Sequence, residues 1–164
     1  MIKYLTFSFA ISTISWVIGI VVNAILIKSP YYNQKLSNLN FIKSDRLNKL
    51  IGIEIFKRMI IFSPLKYFNP KLSIKKQVKV SELPDLRREM TIAEISHLIA
   101  FAFVMIFVII KLLNGQYAFA LVMLIINILM NLYPSLLQQQ NKRRIDKFSK
   151  IMTLREAAPH LSEA

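Results

Sequence analysis

Glu94 and His97 stand three residues apart in Thr91-Ile-Ala-Glu-Ile-Ser-His97. On a helix, that spacing puts a carboxylate and an imidazole on one face, one turn apart. A carboxylate so placed orients and polarises the imidazole, which can then take a proton from a hydroxyl group as a general base. A second polar set follows in Asn131-Leu-Tyr-Pro134 and Gln138-Gln-Gln-Asn141-Lys-Arg-Arg144. Amides such as Asn131 can donate to a carbonyl oxygen or to the oxyanion it becomes. Arg143 and Arg144 suit phosphate or carboxylate recognition. Pro134 lacks an N–H, so it frees the Met130 carbonyl four residues back and can bend the helix.

Plainer roles compete for each of these residues. Thr91-Ile-Ala-Glu94 fits a capping box, in which Glu94 satisfies the free backbone donor of Thr91. A lone histidine is often a hydrogen-bonded structural residue. Asn127 and Asn131, four apart in apolar sequence, can simply join helices. Basic residues that follow a membrane exit are ordinary. Glu-x-x-His also occurs in di-iron bundles, but those need two such motifs and further carboxylates. The chain has two histidines and no cysteine, so no metal site and no disulfide is expected.

Two helices must position these groups. Residues 95–110 and 117–137 are apolar and are joined by Lys111-Leu-Leu-Asn-Gly-Gln116. In an antiparallel hairpin, positions summing to about 227 lie at equal depth. His97 then falls at the level of Met130 and Asn131, and Glu94 at that of Tyr133. A carboxylate, an imidazole, amides and a guanidinium converge where the hairpin leaves its apolar layer, and such groups at membrane depth are functional candidates by default.

Composition places this hairpin in a bilayer. Hydrophobic residues make up 54% of the 164 residues, and mean hydropathy is +0.44. Tyr4–Ile27 runs 24 residues without a charge and Tyr117–Leu137 runs 21, each beyond the roughly 18–20 needed to cross a bilayer core. Leu98–Ile110 is a shorter run of 13, which reaches spanning length by including 91–97. The expected fold is an all-α integral membrane protein with three transmembrane helices, one N-terminal span and a C-terminal helical hairpin. Its parts are span 1 at 4–27, a basic cytoplasmic or interfacial segment at 28–90, span 2 at 91–110, span 3 at 117–137 and a basic tail at 138–164. The first span is too long for a signal-peptide core and no small-x-small cleavage site follows, so it reads as uncleaved.

Charge orients the chain. Residues 28–90 carry 14 Lys/Arg against 5 Asp/Glu, and residues 138–164 carry 6 against 3. The bias of Lys/Arg toward cytoplasmic flanks puts 28–90 and the tail inside, with the N-terminus and hairpin tip outside. These basic segments read as anionic-lipid contacts rather than a nucleic-acid interface. Within 28–90, Pro30 should end the first helix. Ser44-Asp45 should cap a helix to about Phe62, apolar at Leu47, Leu50, Ile51, Ile55, Met59 and Phe62 and basic elsewhere, which is the pattern of an interfacial helix. Pro64 and Asn69-Pro70 break regular structure, Leu72–Val80 alternates like a short extended segment, and Pro84-Asp85 should open another short helix.

Glu94-x-x-His97, then Asn131-x-x-Pro134-x-x-x-Gln138-x-x-Asn141-x-x-Arg144, resembles the glycosyl-4,4'-diaponeurosporenoate acyltransferase family, small membrane proteins of bacterial carotenoid pathways. The family's ending looks like Gln-Arg-Tyr-Asn-Arg-x-Arg. Here Gln138, Asn141 and Arg144 are in register, while Gln140 replaces the aromatic, Lys142 the first arginine, and Leu98 the tryptophan after the histidine. The resemblance implies transfer of a fatty acyl group to a sugar hydroxyl of a glycosylated lipid or carotenoid. His97, Glu94 and Asn131 would be catalytic, and Gln138, Asn141, Arg144 and Tyr133 would bind substrate. It implies no bound cofactor, an acyl-CoA or similar donor as co-substrate, membrane lipids and the glycosylated acceptor as partners, and a multi-pass place in the bacterial inner membrane, with other membrane proteins as further partners. The rival expectation is a non-catalytic membrane subunit or assembly factor that binds lipid or a partner protein. Phosphotransfer is disfavoured, because no carboxylate cluster for magnesium stands near the hairpin's polar end.

Overall fold

The computed structural model describes residues 1–42, 44–62 and 80–157. The expected breaks at Pro64 and Asn69-Pro70, the expected extended segment up to Lys79, and the second histidine at 160 lie outside them. No strand occurs among the described residues, and three helices are long and apolar enough to cross a membrane. They are α1 (Ile2–Leu26), α5 (Leu83–Leu113), and the run of α6 (Tyr117–Asn127), a wide π turn (Ile128–Leu132) and α7 (Tyr133–Ala157). Between α1 and α5 lie α2 (Pro30–Gln34), α3 (Asp45–Leu50) and α4 (Ile53–Phe62).

The α1–α5 seam is built from small and polar residues. Ser8, Ser12, Ser15, Gly19 and Asn23 recur every three or four positions, and all are buried. Lipid tails are as apolar as leucine, so helices in a bilayer join through close backbone approach and interhelical hydrogen bonds. At Gly19 the approach is extreme, since a Cβ there would collide with the Ser96 carbonyl oxygen. Asn23 closes the same seam, its Nδ2 donating to Ile92 O at 2.8 Å and to Ser96 Oγ at 2.9 Å. The opposite side of α1 leaves Ile14, Val17, Ile20, Val21 and Ile25 exposed, a surface suited to lipid.

Toward the hairpin tip the packing is apolar, with Val104 and Val108 of α5 against Phe119, Ala120 and Met123 of α6. Gly115, at φ 69°, supplies the left-handed residue that ends α5. At the other end the helices outrun the apolar layer. α5 has 31 residues, which at 1.5 Å per residue is about 46 Å against a core of about 30 Å.

Several boundaries differ from expectation. Span 2 does not begin at Thr91. The short helix expected at Pro84 runs without a break into it, so Thr91 is a mid-helix residue whose hydroxyl donates to Arg87 O at 3.0 Å, and no capping box forms. Pro30 does not terminate α1. It occupies the first turn of α2, where its missing N–H costs nothing and Ser29 Oγ caps the Tyr31 amide at 3.2 Å. The single helix expected from Ser44 to Phe62 is divided at Gly52, whose φ of 74° helix geometry does not allow. The tail continues α7 as helix to Ala157.

α4 lies along α7. Ile53 and Ile60 pack on Leu136 and Leu137, while Ile55, Met59 and Phe62 stay exposed. The helix thus has a protein-facing apolar side and a second apolar side free for the bilayer interface.

Candidate active site

α5 carries Glu94 and His97 one turn apart, yet the structure sends them into different surroundings. Glu94 is fully buried. Its Oε2 meets the Lys142 ammonium at 2.5 Å, and its Oε1 accepts from Gln139 Nε2 at 2.8 Å. His97 is not among these partners. Lys142 is itself buried and donates to Ser37 O at 3.0 Å. Gln139 Oε1 accepts the Phe41 amide at 3.0 Å, and Arg143 donates to Asn40 Oδ1 at 2.8 Å. Arg87 reaches both Asp146, at 2.6 Å, and Asn38, at 3.3 Å. One knot of α5 and α7 side chains therefore grips the backbone and amides of residues 37–41. Burying two charges is costly, and a close pair with further hydrogen bonds offsets that cost.

His97 instead faces Trp16 of α1, edge to face with ring centroids 6.3 Å apart. Its Nδ1 has no hydrogen-bond partner among the described residues. Leaving a buried polar atom unpaired costs about 1–3 kcal/mol, so its retention calls for an explanation in function.

Asn131, in the π turn, is the second polar residue at this level. Its Oδ1 accepts from Trp16 Nε1 at 2.9 Å, and its Nδ2 donates to Asn127 Oδ1 at 2.8 Å and to Ser15 Oγ at 3.2 Å. Asn127 donates in turn to Phe101 O at 3.1 Å. The carboxamide is fully buried and both its N–H groups are committed, which leaves none for a substrate oxyanion. Trp16 Nε1 also reaches the Met130 carbonyl at 3.4 Å, the one that Pro134 leaves without an α-helical donor. π turns recur at functional positions in helices, and here the turn is fastened to α1 by the Trp16 indole and the Ser15 hydroxyl.

A cavity of about 470 Å³ lies between α1, α4, α5 and the π turn, lined by Trp16, Ile20, Phe56, Ile60, Glu89, Ile92, Ala93, Ser96, His97, Met130 and Pro134. Most of these walls are apolar, and His97 is the imidazole set among them. Tyr133 stands beside the lining residue Phe56, ring centroids 5.1 Å apart, and its hydroxyl donates to Ile51 O at 2.7 Å. Arg144 is exposed and holds Glu54 at 3.3 Å, as does Gln140 Nε2. Burial, followed by the nearby Arg144 guanidinium, keeps the Lys57 ammonium below the ordinary lysine range. Gln138 and Asn141 are buried on α7.

Of the seven expected residues, Gln138 and Asn141 are buried on α7 and the other five fall into three groups. His97 and Asn131 meet directly as well as through Trp16, as the hairpin register requires. Glu94 joins Gln139 and Lys142. Arg144 and Tyr133 hold α4. Sequence reasoning missed Trp16, the sole tryptophan in an otherwise unremarked span, and it missed Lys142 as the partner of Glu94.

Fold and cavity together define a small integral membrane protein of three crossing helices, with an apolar chamber that carries one imidazole. Residues 28–151 match the family model of glycosyl-4,4'-diaponeurosporenoate acyltransferase. The chain belongs to that family, a family of acyltransferases. No curated protein and no solved structure matches it. The matched residues begin after α1, so they include His97 and Asn131 but not Trp16.

Proposed function

We propose that this protein moves a fatty acyl group from a thioester donor such as acyl-CoA onto a hydroxyl of a glycosylated lipid or carotenoid. The observation that carries this reading is His97, an imidazole with an unpaired ring nitrogen on the wall of an apolar cavity, in a chain of this acyltransferase family. Apolar walls suit an acyl chain, and a basic nitrogen suits activation of a hydroxyl. The imidazole takes the hydroxyl proton as the oxygen attacks the thioester carbonyl carbon. The C–S bond then breaks, and the proton passes to the departing thiolate. An ester and a free thiol result.

Other residues have supporting parts in this reading. Asn131 and Trp16 hold the π turn beside His97. Glu94 anchors residues 37–41 through Lys142 and Gln139. Arg144, with Lys57 and Arg58 on α4, offers cations for the donor's phosphates, which fits the strongly basic charge of 28–90 and the tail. Tyr133, Gln138 and Asn141 set the α7 wall and its hold on α4. By the same charge bias, the polar end faces the cytoplasm, the hairpin tip faces outward, and the membrane is the bacterial inner membrane.

The test compares lipid extracts from cells lacking the gene, cells carrying it and cells carrying His97→Ala. The acylated glycolipid should vanish in the first and third, with its unacylated precursor accumulating, while the variant protein stays folded in the membrane. Unchanged product in His97→Ala cells would defeat the assignment and leave a non-catalytic subunit as the better reading.

A further inference from the structure

The end of the bundle away from the polar knot holds a second cleft, about 770 Å³ in volume, between the start of α1 and the hairpin tip. Two lysines converge on it from different helices, Lys3 of α1 and Lys111 near the end of α5. Its floor is aromatic. Tyr4 stacks on Phe119 with centroids 4.5 Å apart and planes 17° apart, and Phe7 meets Phe119 edge-on at 5.5 Å. The Lys111 ammonium lies 4.7 Å above the Phe119 ring and 5.9 Å from that of Phe7, so one side of the charge faces π density rather than water.

Among the described residues no carboxylate answers these cations. Residues 1–44 and 95–145 contain no aspartate or glutamate, and those two stretches supply this whole end of the bundle. The buried Lys142 of the polar knot is paired with Glu94, whereas Lys111 is half-buried and Lys3 exposed. At the tip the counter-charge must come from outside. The cleft sits at the ends of helices long and apolar enough to cross a membrane, and its aromatic floor gives acyl chains a surface to lie against.

We propose that this cleft binds one anionic phospholipid, its phosphate held between Lys3 and Lys111 and its chains running along Tyr4, Phe7 and Phe119. The lipid would bridge α1 to the hairpin tip. This site is separate from the His97 cavity and does not depend on the reading of that cavity.

Native mass spectrometry on the full-length protein tests it, using phosphatidylglycerol as the probe and uncharged diacylglycerol and inorganic phosphate as comparison arms. The wild-type protein should retain one tightly held phosphatidylglycerol that the doubly substituted Lys3→Gln/Lys111→Gln variant binds about 30-fold more weakly, five- to sixfold per lysine. Lys28→Gln, which removes a cation at the opposite end of α1, should leave that lipid in place. Equal retention by the double variant, equal loss in Lys28→Gln, or equal binding of diacylglycerol would overturn the proposal. Inorganic phosphate displacing the lipid stoichiometrically would overturn the lipid as occupant. A Tyr4→Leu variant, which keeps both charges but removes the stacked floor, should weaken binding by less than the lysine pair does.

Discussion

Glu94 and His97 are neighbours on α5, and the structure treats them in opposite ways. Around Glu94 the charges and nearly every amide find a partner, and those partners stitch α5, α7 and residues 37–41 together. Around His97 the walls are greasy, one ring nitrogen is unpaired, and the cavity is open for something other than protein. The difference teaches that polarity inside a membrane bundle serves two ends. The satisfied groups around Glu94 fix the architecture, while the unpaired His97 nitrogen, on a cavity wall, is available to a ligand.

Substitutions can break this contrast. The largest effect is expected in turnover from His97→Ala, a loss of about 10²–10⁴-fold, with the variant still folded in detergent. Glu94→Ala should do the reverse. Stranding the buried Lys142 charge should cost about 3–5 kcal/mol, seen as a lowered melting temperature. The double change Glu94→Gln with Lys142→Met should recover much of that stability, since no uncompensated charge remains. If Glu94→Gln alone abolished turnover without affecting melting, the separation of roles would be wrong.

Trp16→Phe falls between the two residues. It removes the donor to Asn131 Oδ1 and to the Met130 carbonyl, a loss of about 1–3 kcal/mol. It should also lower kcat by about tenfold with KM little changed, as the π turn and imidazole lose their brace. A change in KM alone would make Trp16 merely a wall of the cavity. The smallest effect concerns Lys57. Arg144 ranks second to burial in holding its ammonium below the usual range, so Arg144→Gln should raise the Lys57 pKa. Lysine-selective NMR titration measures that shift, and a fall would contradict the geometry.

Much of this was legible in the sequence. Two uncharged runs of spanning length and a shorter one extended through 91–97 indicated the three crossings, and the short link between the last two set the register that brings His97 level with Asn131. The same register was misleading for Glu94. It put Tyr133 opposite, but the partners are Gln139 and Lys142, further along α7. The π turn adds a residue to the helix there, and glutamine and lysine side chains reach back toward their helix N-terminus. Asn131 lies at the level of His97, as the register implied. Its donors were not seen to be taken, because Ser15 and Asn127 belong to contacts that no local pattern announces. Trp16 was hidden for a similar reason, as nothing within a charge-free helix marks which face meets a partner.

The wide turn at Ile128–Leu132 has one more consequence, for how this chain can change length. Each residue added to or removed from an α-helix rotates everything after it by about 100°. The wide turn holds one residue more than an α-helical turn. Deleting one residue there would relax it to plain α-helix and leave Gln139 and Lys142 facing Glu94, whereas a deletion between Tyr133 and Gln138 would swing them away in one step. Single-residue deletions should therefore be tolerated in the hairpin link at Asn114–Gln116 and in the wide turn outside Asn131, and rejected between Tyr133 and Gln138, where nothing absorbs the change of count.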